Sequence, residues 1–285
     1  MKKNMLIFYT SLIFTLMLLI NIFPNIFYNI NNSFDYLKIK TKLIFKENKE
    51  NEIFIYQNKA NIIIMFDDGW KTQYTKGFKY MNKKDMRGSI AIIPNAINQQ
   101  LYLNIGELNM LHDKNWDLLN HTLYHNILIN ADISQQKFEI KQGGVWLKDN
   151  NFNNQNNVLV YPEGKYNSDT ISVMKKLNYI SGRSVEDGYN FKYPKDLYSI
   201  KVKNVLTTTK TKWVKSWIDF AIENNLTLIL LFHKIEEEID DTLMIYKEKD
   251  YYEIIDYINK KRNDLNIITY SEWIQTVLYH QNKKP

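Results

Sequence analysis

The sequence predicts an α/β domain built as a distorted barrel of strands and helices, behind one N-terminal membrane-spanning helix. Three observations carry this. Short apolar runs alternate with amphipathic stretches from residue 60 to residue 280, the signature of β–α units around a largely parallel sheet. The polar residues able to do chemistry stand at the ends of those runs, where barrels of this kind gather their active groups. Residues 4–34 carry no charge, and the stretch from Met5 to Phe23 is mostly apolar.

That apolar stretch is long enough to cross a bilayer as a helix, and Pro24 gives it a stop. No small-residue cleavage site follows: the next residues are Asn25, Ile26, Phe27 and Tyr28. An uncleaved anchor over 1–34 is therefore expected, with the stalk over 35–59 and the body over 60–280. Lys2 and Lys3 favour an inside N-terminus, against Lys38, Lys40 and Lys42 on the other flank. The expected location is the cell membrane, single-pass, with the body outside the cytoplasm.

The stalk holds two short strand candidates, 42–45 and 53–56. In the body, strands are expected at 62–66, 89–93, 116–120, 158–161, 179–181, 198–202, 226–232 and 266–269. Helices are expected at about 72–83, 106–114, 134–148, 168–177, 211–224, 250–262 and 271–279, and the Asn-rich patch 150–157 reads as a loop. No internal repeat and no Pro/Gly-rich linker interrupts 60–280, so one barrel-like domain is the economical reading.

Composition narrows the chemistry. The chain of 285 residues has no cysteine, which excludes a disulfide scaffold, a thiolate metal site and a cysteine nucleophile. Any metal must be held by His, Asp or Glu. The net charge is +6, yet of the 37 basic residues only Arg87, Arg183 and Arg262 are arginines. Nucleic-acid readers favour the bidentate guanidinium, so a nucleic-acid partner is not expected.

Four strand ends stand out. Ile62–Phe66 runs into Asp67, Asp68 and Gly69. Adjacent carboxylates resist joint ionisation unless a cation or a division of roles compensates, so one on a metal and one as a base would resolve them; a plain turn is the alternative. After 116–120 come His121 and His125, four apart, which one helical turn would bring to one face as a pair of nitrogen ligands. Adding Asp68 gives two histidines and a carboxylate with coordination positions left open, a catalytic pattern. Strand 158–161 ends in Tyr161-Pro162-Glu163-Gly164, whose backbone N–H groups can face an oxyanion or merely turn the chain. Strand 226–232 ends in His233, a general-acid candidate or else a hydrogen-bonded core residue. His112 and His280 fall in helical stretches and read as structural or solvent-facing.

In order these are Phe-Asp-Asp-Gly, His-Thr-x-x-His, Tyr-Pro-x-Gly and Leu-x-His. Together they resemble the polysaccharide deacetylase family (carbohydrate esterase family 4, the NodB homology domain), over roughly residues 60–275. The resemblance implies a NodB-type, TIM-like distorted (β/α) barrel and a divalent metal, commonly zinc, on Asp68, His121 and His125. It implies Asp67 as general base, the N–H of Glu163 as oxyanion donor and His233 as the acid that protonates the leaving amine. Leu231, Tyr161 and Pro162 would contact substrate. The implied partner is an N-acetylated glycan such as poly-N-acetylglucosamine or peptidoglycan, deacetylated with release of acetate. Removal of O-acetyl esters, or a silent carbohydrate-binding module, are the alternatives.

The chain departs from the family's pattern in three places. Val160 stands where many members carry an arginine that orients the base, and Arg183, near the end of the 179–181 strand, offers a substitute, with a surface arginine as the alternative. Glu163 stands where an aromatic is common. The motif whose Asp and Trp flank the acid histidine has no counterpart, since Trp213 and Trp217 read as faces of a helix. Trp70 and Tyr166 adjoin the motifs and would either stack on sugar rings or pack in the core.

Overall fold

The first strand of the body is apolar along its whole length, which only a strand covered on both faces tolerates. The computed structural model, which describes residues 59–152, 157–238 and 243–282, puts that strand, β1 (Ala60–Phe66), wholly out of solvent. After it come, in chain order, a wide π-type turn (Gln73–Phe78) running into the short α1 (Lys79–Asn82), β2 (Ser89–Ile92), α2 (Ile105–Asp113), β3 (Asp117–Asn120) and α3 (Ile133–Asp149). The chain continues through β4 (Val158–Val160), α4 (Ser168–Lys176), β5 (Ser181–Asp187), β6 (Ile200–Asn204), α5 (Thr211–Glu223) and β7 (Thr227–Phe232). A two-stranded ribbon, β8 (Lys234–Glu236) and β9 (Ile245–Lys247), precedes α6 (Glu248–Lys260), β10 (Leu265–Ile267) and α7 (Tyr270–Asn282).

Strands β1 to β7 pair in sequence order, all parallel, and β7 closes back on β1 from Asn61↔Thr227 to Phe66↔Phe232. The other edge of β1 is shared: β10 takes its first half (Ala60↔Leu265) and β2 its last (Met65↔Ser89, Phe66↔Ile90). That wedge is the distortion of the barrel. Asp117 and Ser89 hold it, since Ser271 donates its backbone N–H and its hydroxyl to the two Asp117 oxygens at 2.8 Å and the Tyr270 N–H bonds Ser89 Oγ at 2.9 Å.

Alternation along the strands sorts the core into two layers. Ile62, Ile64, Phe66, Ile90, Ile92, Leu228, Leu230 and Phe232 pack outward against the helices. Ile63, Met65, Ala91, Leu119, Val160, Val202, Ile229 and Leu231 fill the lumen, together with Tyr270, Trp273, Ile274 and Val277 of α7. Asn104, Asp132 and Asn167 cap α2, α3 and α4 through their side chains, so these helices begin where the sequence stops favouring strand.

Some expectations need correction. The expected helix 72–83 opens instead as the π-type turn. The strands expected at 179–181 and 198–202 lie at Ser181–Asp187 and Ile200–Asn204, because Gly182, Arg183 and Ser184 are buried lumen or backbone-contact positions that hydrophobicity alone does not reveal. The ribbon β8–β9 was not expected from the sequence. The apolar stretch 5–23, the anchor 1–34, and the stalk strands 42–45 and 53–56 lie outside the described residues. Among the described residues no helix is long and apolar enough to cross a membrane.

Candidate metal and catalytic site

Inward alternation along β1 carries the lumen face from Ile63 and Met65 to Asp67, which stands just past the end of the strand with its side chain 4% exposed. Arg183 on β5 reaches across the lumen, is 0% exposed, and donates one Nη atom to both Asp67 oxygens, at 2.6 and 2.5 Å. The arginine read from sequence near a strand end is therefore inside the barrel and paired with the adjacent-carboxylate motif.

Asp68 follows with φ 78°, a left-handed conformation that swings its carboxylate out of the strand direction. Its Oδ1 lies 3.5 Å from His121 Nε2 and 3.5 Å from His125 Nε2, and the donor atoms of all three residues fall within 4.8 Å of one another. Two donors on one tetrahedral zinc stand about 3.3 Å apart, so the set fits a divalent cation. His121 Nδ1 lies 2.9 Å from the Val160 carbonyl, which can only accept, so Nδ1 carries the proton and Nε2 keeps its lone pair facing Asp68. The indole N–H of Trp70 donates to Asp68 Oδ2 at 2.9 Å, leaving Oδ1 for the cluster.

The two histidines do not share a helix, contrary to the spacing argument. Residues 121–127 are irregular, and left-handed φ values of 63° at both Thr122 and His125 fold the segment so that the rings meet at 4.6 Å. A β-branched residue in that conformation has to be held there. Asn120 Oδ1 accepts the Thr122 N–H at 2.9 Å, and Thr122 Oγ1 accepts the His125 N–H at 3.1 Å. Buried Glu139 of α3 then accepts from the Tyr124 N–H (2.9 Å) and Asn126 Nδ2 (2.6 Å). At Gly143 of α3 an added Cβ would sit 2.2 Å from Asn120 Oδ1, so this approach of helix to strand end requires glycine. Asn120, Glu139 and Gly143 escaped the sequence reading. The glycine pair Gly143-Gly144 inside a helical stretch is the local signal that points to a close approach there.

The electrostatics favour the metal-ready forms. Burial raises the Asp68 pKa, but the surrounding imidazoles of His121, His233 and His125 more than reverse it and hold the carboxyl well below its ordinary range. Burial, reinforced by His121, holds His125 below its ordinary value although Asp68, Asp67 and Glu163 pull the other way.

His233 follows β7 directly, half-buried, and its Nδ1 is out of solvent with no hydrogen-bond partner among the described residues. Gln73, fully buried, donates its side-chain amide to the Asp67 carbonyl (2.5 Å) and the His233 carbonyl (3.1 Å), tying the two strand ends together. Glu163 occupies a left-handed turn (φ 52°), and its carboxylate pairs with Lys165 at 2.9 Å. Pro162 is buried at the start of that turn.

Leu231 is fully buried in the lumen opposite Met65, as floor beneath Asp67. Tyr161 does not join the site. Alternation sends it outward, where it is 0% exposed, packs against Met174 and Gly182, stacks on Tyr166 at 4.5 Å and donates to the Tyr198 carbonyl at 3.0 Å. Trp70 has no free face for a sugar, because Tyr102 stacks on it at 4.3 Å and the Lys234 ammonium stands 4.0 Å over its ring. Beside the cluster opens a groove of about 900 Å³ that His125 and Glu163 line together with Tyr124, Asn126, Gln135 and Phe138.

Residues 55–181 match the family model described as Polysaccharide deacetylase. A Bacillus subtilis (strain 168) protein named "Putative polysaccharide deacetylase YxkH" is 27% identical over 144 residues, 49% of this chain and 51% of that protein. The chain is thus aligned with about half the length of that relative. A "putative polysaccharide deacetylase" from Mycobacterium smegmatis superposes with a TM-score of 0.60 at 10% identity, over 80% of this chain and 93% of that one. The Xyl-CE4 domain of a multidomain xylanase from the hindgut metagenome of Trinervitermes trinervoides gives 0.53 at 12% identity, over 80% and 94%. At such identities these structures speak for the fold, and the fold they share is this barrel.

Proposed function

We propose that this chain, whose residues 55–181 match the polysaccharide deacetylase family, is a metal-dependent hydrolase that removes N-acetyl groups from a glycan outside the cytoplasm and releases acetate. One observation carries the reading: a three-donor cluster of Asp68, His121 and His125 lies beside a carboxylate, Asp67, that a buried arginine holds in place. A divalent cation such as zinc on those three residues supplies Lewis-acid polarisation and acidifies water.

The chain's own residues do the rest. Asp67, whose Oδ2 lies 3.9 Å from His121 Nε2, is within one water of the cluster and takes the proton of the attacking water. Arg183 fixes its orientation and supplies the counter-charge. The N–H of Glu163 faces the developing oxyanion, and His233 returns a proton to the departing amine. The product exchanges a neutral amide for a cationic amine. The groove beside His125 accommodates the glycan chain, since exposed Tyr124 and Phe138 flank amide side chains able to bond hydroxyls. The segment 1–34 anchors the protein in the cell membrane and 35–59 holds the body, 60–280, beyond it; the uncharged stretch behind Lys2 and Lys3 supports this.

Acetate release from N-acetylglucosamine oligomers by the purified, zinc-loaded full chain tests the activity, with Asp67→Asn alongside. Metal-dependent release that Asp67→Asn abolishes is expected. Release from an O-acetylated glycan alone would move the reading to an esterase, and a metal-loaded protein that hydrolyses neither would refute it.

A further inference from the structure

Three cations near the metal cluster have carboxylate partners: Arg183 on Asp67, Lys165 on Glu163 at 2.9 Å, and Lys71 on Glu107 at 2.9 Å. Lys234 does not. It follows His233 at the start of β8, is half-buried, and makes no ion pair among the described residues. Its main chain is fixed, because the Lys234 N–H bonds the Met244 carbonyl at 3.1 Å and β8 pairs Lys234 with Ile245.

The ammonium is also fixed in direction. It stands 4.0 Å over the Trp70 ring, whose other face is taken by Tyr102 and whose N–H holds Asp68. A single indole therefore separates an ammonium that has no carboxylate partner among the described residues from a carboxylate of the metal-ligand set. Placing a cation beside a site built for a divalent cation is electrostatically unfavourable unless a ligand brings compensating negative charge. A neutral sugar would be served as well by a hydroxyl or an amide.

We propose that Lys234, backed by Trp70, forms a subsite for an anionic substituent of the glycan, a carboxylate or a phosphate, so that acidic acetylated glycans are preferred over neutral poly-N-acetylglucosamine. The proposal rests on the deacetylase reading above and adds the charge of the substrate to it. Aromatic contact leaves the ammonium's outer hydrogens available, and charge-assisted bonds to an anion are the stronger kind.

The test compares three oligomers of equal length built on N-acetylglucosamine: neutral, bearing a 3-O-lactyl carboxylate on alternate sugars, and bearing a 6-O-phosphate. With the metal-loaded full chain at low salt, kcat/KM for acetate release should favour one or both anionic oligomers by about tenfold, which 1.4 kcal/mol of differential binding supplies. Whichever is favoured identifies the source of the charge. Lys234→Gln should erase that ratio, Lys234→Arg should keep it, and rising salt should erode it. Equal kcat/KM for all three, or a ratio that survives Lys234→Gln, overturns the subsite while leaving the deacetylase reading intact. Calorimetric affinities of Asp67→Asn for the same oligomers report on the subsite without turnover. Tighter binding of the anionic oligomers with no acetate release by the parent chain would keep the subsite and sink the deacetylase reading. Equal affinities would refute the subsite directly.

Discussion

Arg183→Met tests the lumen pair most directly. The substitution keeps much of the side chain's length and removes the charge, leaving the Asp67 carboxylate, 4% exposed, without its counter-ion. Breaking a buried pair on one side costs about 3–5 kcal/mol. Against a total stability of about 5–15 kcal/mol this is a large share. For a chain of this size each kcal/mol moves Tm by about 2–4 °C, so a loss of about 6–20 °C is expected in a thermal melt. Asp67→Asn in the Arg183→Met background relieves the unpaired charge, so the double variant should be more stable than the sum of the singles by at least about 1 kcal/mol. Catalysis should fall separately: a positioned general base is worth about 100- to 10,000-fold, and an unanchored carboxylate loses much of that. Calorimetry and acetate release read the two effects independently. An Arg183→Met protein that melts within about 2 °C of the parent and turns over within about threefold would refute the claim that this pair orients the base.

Glu139→Ala removes the acceptor of the Tyr124 N–H and Asn126 Nδ2 and should loosen the histidine loop, lowering zinc affinity about 10- to 100-fold in a competition titration although Glu139 touches no donor atom. Chelation should abolish acetate release and lower Tm, and zinc added back should restore both, the Tm rising with free zinc as mass action requires. The metal-free protein should lose stability on acidification in two steps of the same sign. His125 is held below the ordinary 6.5, so the unfolded chain takes up the proton first and stability falls as pH drops below about 6.5. Asp68 is held below the ordinary 3.8, so its contribution is present above that pH and lost beneath it. Thermal melts of chelated protein from pH 7 to pH 4 check the first step, and a Tm that rises on acidification would contradict it.

Much of this molecule is written locally. The run Ile62–Phe66 reads as a doubly covered strand, and most of the elements that follow, the β8–β9 ribbon and the π-type turn apart, begin or end within a few residues of where apolar periodicity puts them. The polar strand ends were legible for the same reason, since a carboxylate or an imidazole after such a run has to emerge at the barrel's rim. What the sequence hid is whatever depends on non-local geometry. Tyr161 read as a contact residue from its motif, but one step of strand alternation sends it into the outer layer. The convergence of His121 and His125 depends on two left-handed residues and on Asn120, held by the Ile140 carbonyl at 2.8 Å and the Tyr179 hydroxyl at 2.6 Å. No period in the sequence announces a contact between residues 120 and 179. The sequence places this strand at 179–181, ahead of its position at Ser181–Asp187, because Gly182-Arg183-Ser184 looks polar, yet in a narrow lumen a guanidinium with a partner is a core side chain.

The register of β4 against β5 explains how an arginine can be missing from its usual place without loss of the arrangement. Val160, where the family pattern puts the arginine, is the direct partner of Arg183 across the parallel pair. Partners in register share a face of the sheet, and Val160 packs in the lumen layer, so the two positions look onto the same volume at the same height. Moving the guanidinium one strand over leaves its head within reach of Asp67. The exchange should then be reversible. Arg183→Val alone should lower turnover and depress Tm to the extent expected of Arg183→Met, whereas Val160→Arg combined with Arg183→Val conserves lumen volume and charge and should recover much of both. The readout is acetate release together with the melting temperature of the single and double variants. If the double variant is no better than Arg183→Val on either measure, the two positions are not equivalent, and register alone does not account for the substitution.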